Sequence, residues 1–139
     1  MEKQITISSL LYRISVLQQT ILTKKLKQIG VSQDQARTLN LIESVPLIKQ
    51  TEIARYVGRS DASTSNLLKG LEKNHLIERK VSEFSDREKQ LQLTEDGVKM
   101  VQKIQVAFDE LNQLVDQSVV KQDELSEQLT KIVDGLKGE

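Results

Sequence analysis

Residues 49–94 hold the pattern that most constrains the fold of this chain: two short helices, a tight turn, and then a hairpin. The first helix is predicted over Gln50–Val57, with its apolar side chains on one face. Gly58 follows and permits a sharp turn, because glycine adopts left-handed backbone conformations at little cost. Ser60 is a preferred N-cap for a second helix that reaches about Asn74. This order of elements predicts a winged helix-turn-helix.

The second of these helices has two different faces. Its inward side is apolar, and its outward side is small and polar. A helix that enters the major groove of DNA needs short outward side chains, because the backbone must approach the base edges. An ordinary solvated helix has a similar face, and the hairpin that follows favours the DNA interpretation. The predicted DNA-binding residues of this helix are Ser60, Ala62, Ser63, Ser65, Asn66 and Lys69.

The hairpin is predicted from strands at Leu76–Ser82 and Glu88–Leu93, joined by a charged loop at Glu83–Arg87. A guanidinium on a narrow loop suits a narrow minor groove, where the potential is most negative, so Arg87 is a predicted DNA contact. Lys89 is a predicted phosphate contact on the same hairpin. The alternative for both is an ordinary solvated or ion-paired surface side chain.

Long helices flank this central segment, and each carries an apolar stripe. They are predicted over Thr6–Gln28, Glu95–Val119 and Gln122–Leu136, with a shorter helix between a capping box at Ser32–Gln35 and Glu43. The expected fold is mainly α with a small β-hairpin wing. The stripes are wider than one small lobe needs, so they pack either inside one core or against a second chain.

Net charge does not carry the DNA prediction. Residues 1–48 hold 6 Lys and Arg against 3 Asp and Glu, residues 49–93 hold 9 against 7, and residues 94–139 hold 5 against 10. The predicted reader segment is therefore only slightly basic. Recognition is expected on a small polar helix face and a single wing arginine, not on a broad basic patch.

Several other classes of function are excluded or disfavoured. The chain has no Cys and one His, so disulfides, thiolate chemistry and a multi-histidine zinc site are not expected. We find no convergent catalytic set and no glycine-rich phosphate loop, and we expect no enzyme activity, cofactor or metal. No apolar run approaches the ~20 residues of a membrane span. A cytoplasmic location is therefore expected.

Four motifs together resemble the MarR family of bacterial transcription regulators. They are Glu52–Ala54 in the first helix of the pair, Leu71–Arg79 at the end of the second helix, Ser85–Arg87 in the wing, and Leu93–Gly97 after it. The resemblance covers nearly the whole chain. Each motif alone is weak, and the combination with this spacing is specific.

The resemblance implies a homodimer in which residues 1–29 and 95–139 form a helical dimerisation region and residues 30–94 form the winged helix-turn-helix lobe. It further implies binding to pseudo-palindromic double-stranded DNA and, in many members, repression released by a small-molecule effector in the crevice between dimer arm and DNA lobe. The alternative hypothesis is a winged-helix protein–protein adaptor that does not bind a specific DNA sequence.

The chain departs from the family pattern at two informative positions. The wing acid that normally precedes the arginine by two residues is replaced by Ser85, and the glycine usual after the second helix is replaced by His75. Because asparagine tolerates a left-handed backbone, we expect Asn74 to take that conformation instead.

Overall fold

The computed structural model describes residues 4–82 and 85–139. Within these residues there are six helices and three strands. In chain order they are α1 (Ile7–Gln28), α2 (Gln33–Ser44), β1 (Ile48–Lys49), α3 (Gln50–Val57), α4 (Asp61–Lys73), β2 (Ile77–Ser82), β3 (Ser85–Leu93), α5 (Glu95–Asp116) and α6 (Gln122–Lys137). The predicted fold class, mainly α with a small β wing, is confirmed.

The three strands form one antiparallel sheet in the order β1-β3-β2. β2 and β3 are the two arms of the hairpin, with Ile77 opposite Leu93 at its base. The short β1 pairs with the other edge of β3, with Ile48 opposite Leu91. The hairpin is therefore attached at its base to the segment that leads into α3, which fixes it beside the helix pair.

One apolar core joins five of the helices to this sheet. Its fully buried large apolar side chains come from α1, α2, α3, α4, β3 and α5: Leu26, Leu39, Ile53, Leu68, Leu71, Leu91 and Ile104. The carboxyl half of α1 and most of α5, from Val101 to Leu111, thus pack on the same core as the helix pair. The last helix, α6, buries none of its residues.

The ends of the helices follow their local sequence chemistry. Ser32 caps α2 as predicted, since its hydroxyl accepts from the Gln35 N–H at 3.1 Å and the Gln35 side chain accepts from the Ser32 N–H at 2.9 Å. Thr6 and Ser9 make the same reciprocal cap at α1. These caps satisfy backbone N–H groups that have no partner inside the helix.

Two predicted boundaries are wrong. β3 begins at Ser85, so the stretch Ser85–Arg87 is strand and not loop. A charged composition does not prevent strand pairing, because the ladder hydrogen bonds are made by backbone groups. α5 ends at Asp116 rather than Val119, because the last residues turn more tightly: the Val119 N–H bonds the Asp116 carbonyl at 3.0 Å.

The left-handed residue after α4 is His75, and the prediction of Asn74 for that role is wrong. Asn74 has φ −84° and His75 has φ 60°. The reversal lets the Leu76 N–H bond the Leu71 carbonyl at 3.0 Å, which closes the end of α4. Position 75 thus needs a positive φ whichever residue occupies it.

His75→Gly is expected to stabilise the protein by about 1 kcal/mol, because a side chain in the left-handed region strains the backbone and glycine does not. Urea denaturation followed by circular dichroism measures the change. Asn74→Gly is the matched control and should destabilise, because its φ is already normal and glycine only adds entropy to the unfolded chain. Equal stability of His75→Gly and the unaltered protein would contradict this explanation.

Candidate nucleic-acid interface

The outward face of α4 is open to solvent, as the sequence predicts. Ala62, Asn66 and Lys69 are exposed, while Thr64 and Leu68 on the opposite side are fully buried. The exposed side chains are one methyl group, one amide and one ammonium. This face therefore combines close backbone approach with hydrogen-bonding groups that suit base edges and phosphates.

The predicted serines around the start of α4 are used partly inside the protein. Ser60 is the N-cap, and its hydroxyl accepts from the Ser63 N–H at 3.1 Å. The Ser63 hydroxyl accepts from the Arg59 guanidinium at 2.9 Å. Ser63 and Ser65 are half-buried. The first turn of α4 is thus rigidly defined, and Asn66 and Lys69 are its more accessible polar side chains.

Arg59 is a residue of this surface that the sequence analysis missed. It lies in the turn between α3 and α4, and its guanidinium pairs with the Asp34 carboxylate of α2 while it donates to Ser63. Arg59 and Asp34 are 25 residues apart in the chain. A local pattern could not reveal the contact, although an arginine immediately before the N-cap of a reading helix was a usable signal.

A second polar network fixes the base of the hairpin against the helix pair. The Arg79 guanidinium on β2 pairs with the Glu72 carboxylate on α4 and donates to the Gln50 side chain on α3 at 3.3 Å. Three elements of the lobe therefore share one partly buried arginine. Arg87 and Lys89 are both predicted contacts. The structure describes the backbone of both, which belongs to β3, but not their side chains.

The segment that joins the hairpin to α5 is locked to the end of α4. The Thr94 hydroxyl donates to the His75 carbonyl at 2.6 Å and accepts from the Gly97 N–H at 3.0 Å. The Thr94 N–H bonds the Leu76 carbonyl at 3.0 Å. The reading helix, the hairpin base and α5 thus meet in one hydrogen-bonded joint.

A cleft of about 590 Å³ lies between the end of α1, the start of α2 and the turn before α4. Lys27, Asp34 and Arg59 are among its walls. In the part of the chain that the structure describes, no cluster of His, Asp and Glu could hold a metal ion. No helix in that part is long and apolar enough to cross a bilayer.

Comparison with known families decides the class of this architecture. The model of the MarR family matches residues 29–88, which span α2, the helix pair and most of the hairpin. The winged helix-turn-helix part of this chain matches the MarR family. This similarity supports a transcription regulator that binds DNA, rather than an enzyme or an adaptor without DNA binding.

Solved structures of a MarR-family protein match nearly the whole chain. MepR, a transcription regulator of the Staphylococcus aureus multidrug efflux pump MepA, is 29% identical, with 95% of this chain and 99% of MepR covered and a TM-score of 0.86. The S. aureus MepR–DNA complex matches at 29% identity over the same shares with a TM-score of 0.76. S. aureus MepR bound to ethidium bromide matches at 29% identity, over 95% and 97%, with a TM-score of 0.67. A search of curated proteins found no match.

Proposed function

We propose that this MarR-family chain is a homodimeric, ligand-responsive repressor that binds a pseudo-palindromic operator. The observation that carries the proposal is the exposed face of α4, with Ala62, Asn66 and Lys69, on a helix whose end is joined by an ion pair to the base of the hairpin. In this arrangement α4 enters the major groove and the hairpin reaches the adjacent minor groove. The structure of MepR with DNA supports this arrangement by similarity.

The apolar surface supports a second copy of the chain as partner. Leu10, Ile14 and Leu17 on α1 are each about half exposed, and α6 presents an apolar stripe with no core beneath it. Monomers seldom expose large contiguous apolar patches, and a second copy of the chain would cover these side chains. We assign residues 1–29 and 95–139 to a dimerisation region, which positions two reading helices on two half-sites.

The cleft between α1, α2 and the turn before α4 is a candidate place for a small effector. It lies where the helix of the dimer arm meets the DNA lobe, and both cationic and acidic side chains line it. The binding of ethidium bromide by MepR supports a small, flat, lipophilic cation as one class of effector. A ligand there would act by shifting the lobe relative to the arm.

Direct contacts from the α4 face and the wing are tested with two substitutions. Asn66→Ala should weaken binding by about 1–3 kcal/mol, the usual contribution of a good base contact. Arg87→Ala should also weaken binding and leave the oligomeric state unchanged, because the wing lies away from the dimerisation region. The probe is a duplex that the unaltered protein selects from a random-sequence pool, and gel-shift titration gives the affinity.

The matched control is Asn112→Ala, which makes the same change at an exposed position of α5. It should bind the selected duplex as the unaltered protein does. Binding by Arg87→Ala that equals that of the unaltered protein would contradict the wing assignment. Failure of the unaltered protein to select any duplex would contradict the proposed function itself.

A further inference from the structure

Arg59 joins two helices that are far apart in sequence. Its guanidinium pairs with the Asp34 carboxylate in the first turn of α2 and donates to the Ser63 hydroxyl, at 2.9 Å, in the first turn of α4. The Asp34 and Arg59 side chains are about one third exposed, at 31% and 37%. The start of the reading helix is thereby held to the start of α2.

The same turn of α2 is held on its other side to α1. The Gln33 side-chain amide donates to the Thr23 hydroxyl at 2.6 Å and to the Gln19 carbonyl at 3.2 Å. Gln33 and Asp34 are adjacent in the first turn of α2, so this turn contacts α1 through Gln33 and Arg59 through Asp34. A continuous path of hydrogen bonds therefore runs from α1 through α2 to the first turn of α4.

Neither a contribution to folding nor an attraction for DNA phosphates gives the Arg59–Asp34 pair a large role. A partly exposed ion pair contributes at most about 1 kcal/mol to folding. The pair is also electrically neutral as a unit, so it adds little attraction for phosphates, and Asp34 alone would repel them. The contact instead fixes the orientation of the start of α4 relative to α2, because one planar guanidinium holds the Asp34 carboxylate and the Ser63 hydroxyl at the same time.

We propose that Arg59 is a positioning residue for operator recognition: through Asp34 and Ser63 it sets the first turn of α4 against α2 and, beyond it, α1. The inference rests on the proposed function, in which α4 reads bases. If Arg59 no longer holds Asp34 and Ser63 together, the start of α4 can shift, and Asn66 is then misplaced against a base edge. Contacts to phosphates tolerate such a shift, since they carry no sequence information.

The test compares a sequence-selected duplex with a random duplex, using Asp34→Asn, Arg59→Lys and the double variant. Asp34→Asn removes the charge partner, and Arg59→Lys keeps the positive charge but cannot hold both partners. Each single variant should bind the selected duplex about tenfold more weakly, the effect of a coupled contacting pair. Binding to the random duplex should stay within about twofold, and the double variant should be no weaker than either single variant.

Glu127→Gln is the matched control: it breaks the exposed pair with Lys131, on the side of α6 opposite Leu125, Leu129 and Val133, and it changes the net charge by the same amount as Asp34→Asn. It should leave both affinities unchanged. Tighter binding by Asp34→Asn, or full affinity in Arg59→Lys, would overturn the proposal and make Arg59 a phosphate contact that Asp34 restrains.

Thermal unfolding is measured on every variant. A melting temperature that falls in step with the affinity for both duplexes would also overturn the proposal, since it would indicate a purely structural role. If the unaltered protein selects no duplex at all, the proposed function fails first, and that result is distinct from a normal selection with unaffected variants.

Discussion

Gly97→Ala is expected to destabilise the protein by about 3 kcal/mol or more, the upper range for a group forced into a filled space. A Cβ atom at this position would overlap the Leu76 carbonyl oxygen, and it would lie 3.1 Å from the Leu76 carbonyl carbon. Both atoms are backbone, so no side-chain rotation relieves the overlap. The helix, the hairpin base or both must move.

The overlap matters because the Leu76 carbonyl already has a structural role. It accepts from the Thr94 N–H at 3.0 Å, beside the bond from the Thr94 hydroxyl to the His75 carbonyl. Moving the carbonyl away from Gly97 disturbs the joint between α4, the hairpin and α5. We therefore expect weaker operator binding as well as lower stability, because the wing and α4 would no longer be held at one angle.

Gly70→Ala is the control, since it makes the same substitution in a helix of the same lobe. The nearest atom to its Cβ would be the Gln35 amide nitrogen at 4.0 Å, so nothing is displaced. Alanine favours a helix interior over glycine by about 0.5–1 kcal/mol, and Gly70→Ala should be slightly stabilising. Urea denaturation should show a lower free energy of unfolding for Gly97→Ala and a slightly higher one for Gly70→Ala than for the unaltered protein. A Gly97→Ala protein as stable as the unaltered one would contradict the close contact.

The parts of the fold that sequence predicts well are those set by neighbouring residues. The cap of α2 follows from a serine with a glutamine three positions later, and α3 spans Gln50–Val57 as predicted, between Lys49 and Gly58. The outward face of α4 follows from helical periodicity alone. In each case the deciding interactions lie within one or two helical turns.

The parts that sequence misses depend on distant residues. The joint at the end of α4 forms only when the Thr94 hydroxyl, 19 positions later in the chain, donates to the His75 carbonyl. Arg59 finds Asp34 only after the turn brings α4 against α2. No local pattern specifies either contact, because each depends on how complete elements dock.

The surface of α6 supports the proposed homodimer. Leu125, Leu129 and Val133 are 42%, 37% and 51% exposed, and their spacing places them on one side of the helix. None of the 16 residues of α6 is buried, although most of the stability of helices in proteins comes from the packing of an apolar face. Its stripe therefore needs a partner, and the apolar stripe of α1 in a second copy is the partner that we propose. A symmetric pair would cover both stripes at once.

Leu129→Glu is expected to convert the protein to a monomer and to weaken binding to the selected duplex by about a hundredfold or more, the usual gain from linking two binding modules. The substitution places a charge in the centre of the proposed interface, where it has no counter-ion. Light scattering coupled to size-exclusion chromatography would then give 15.8 kDa, the mass of one chain.

Thr130→Glu is the matched control, because it adds the same charge at the next position, where helical periodicity turns the side chain away from the stripe. Thr130 is exposed, and this variant should remain dimeric and bind the duplex normally. An unaltered protein that is itself monomeric at micromolar concentration, or a dimeric Leu129→Glu, would contradict the assignment of α6 to the interface. The DNA contacts of α4 would then have to supply operator affinity from one half-site, which would predict no requirement for a palindrome.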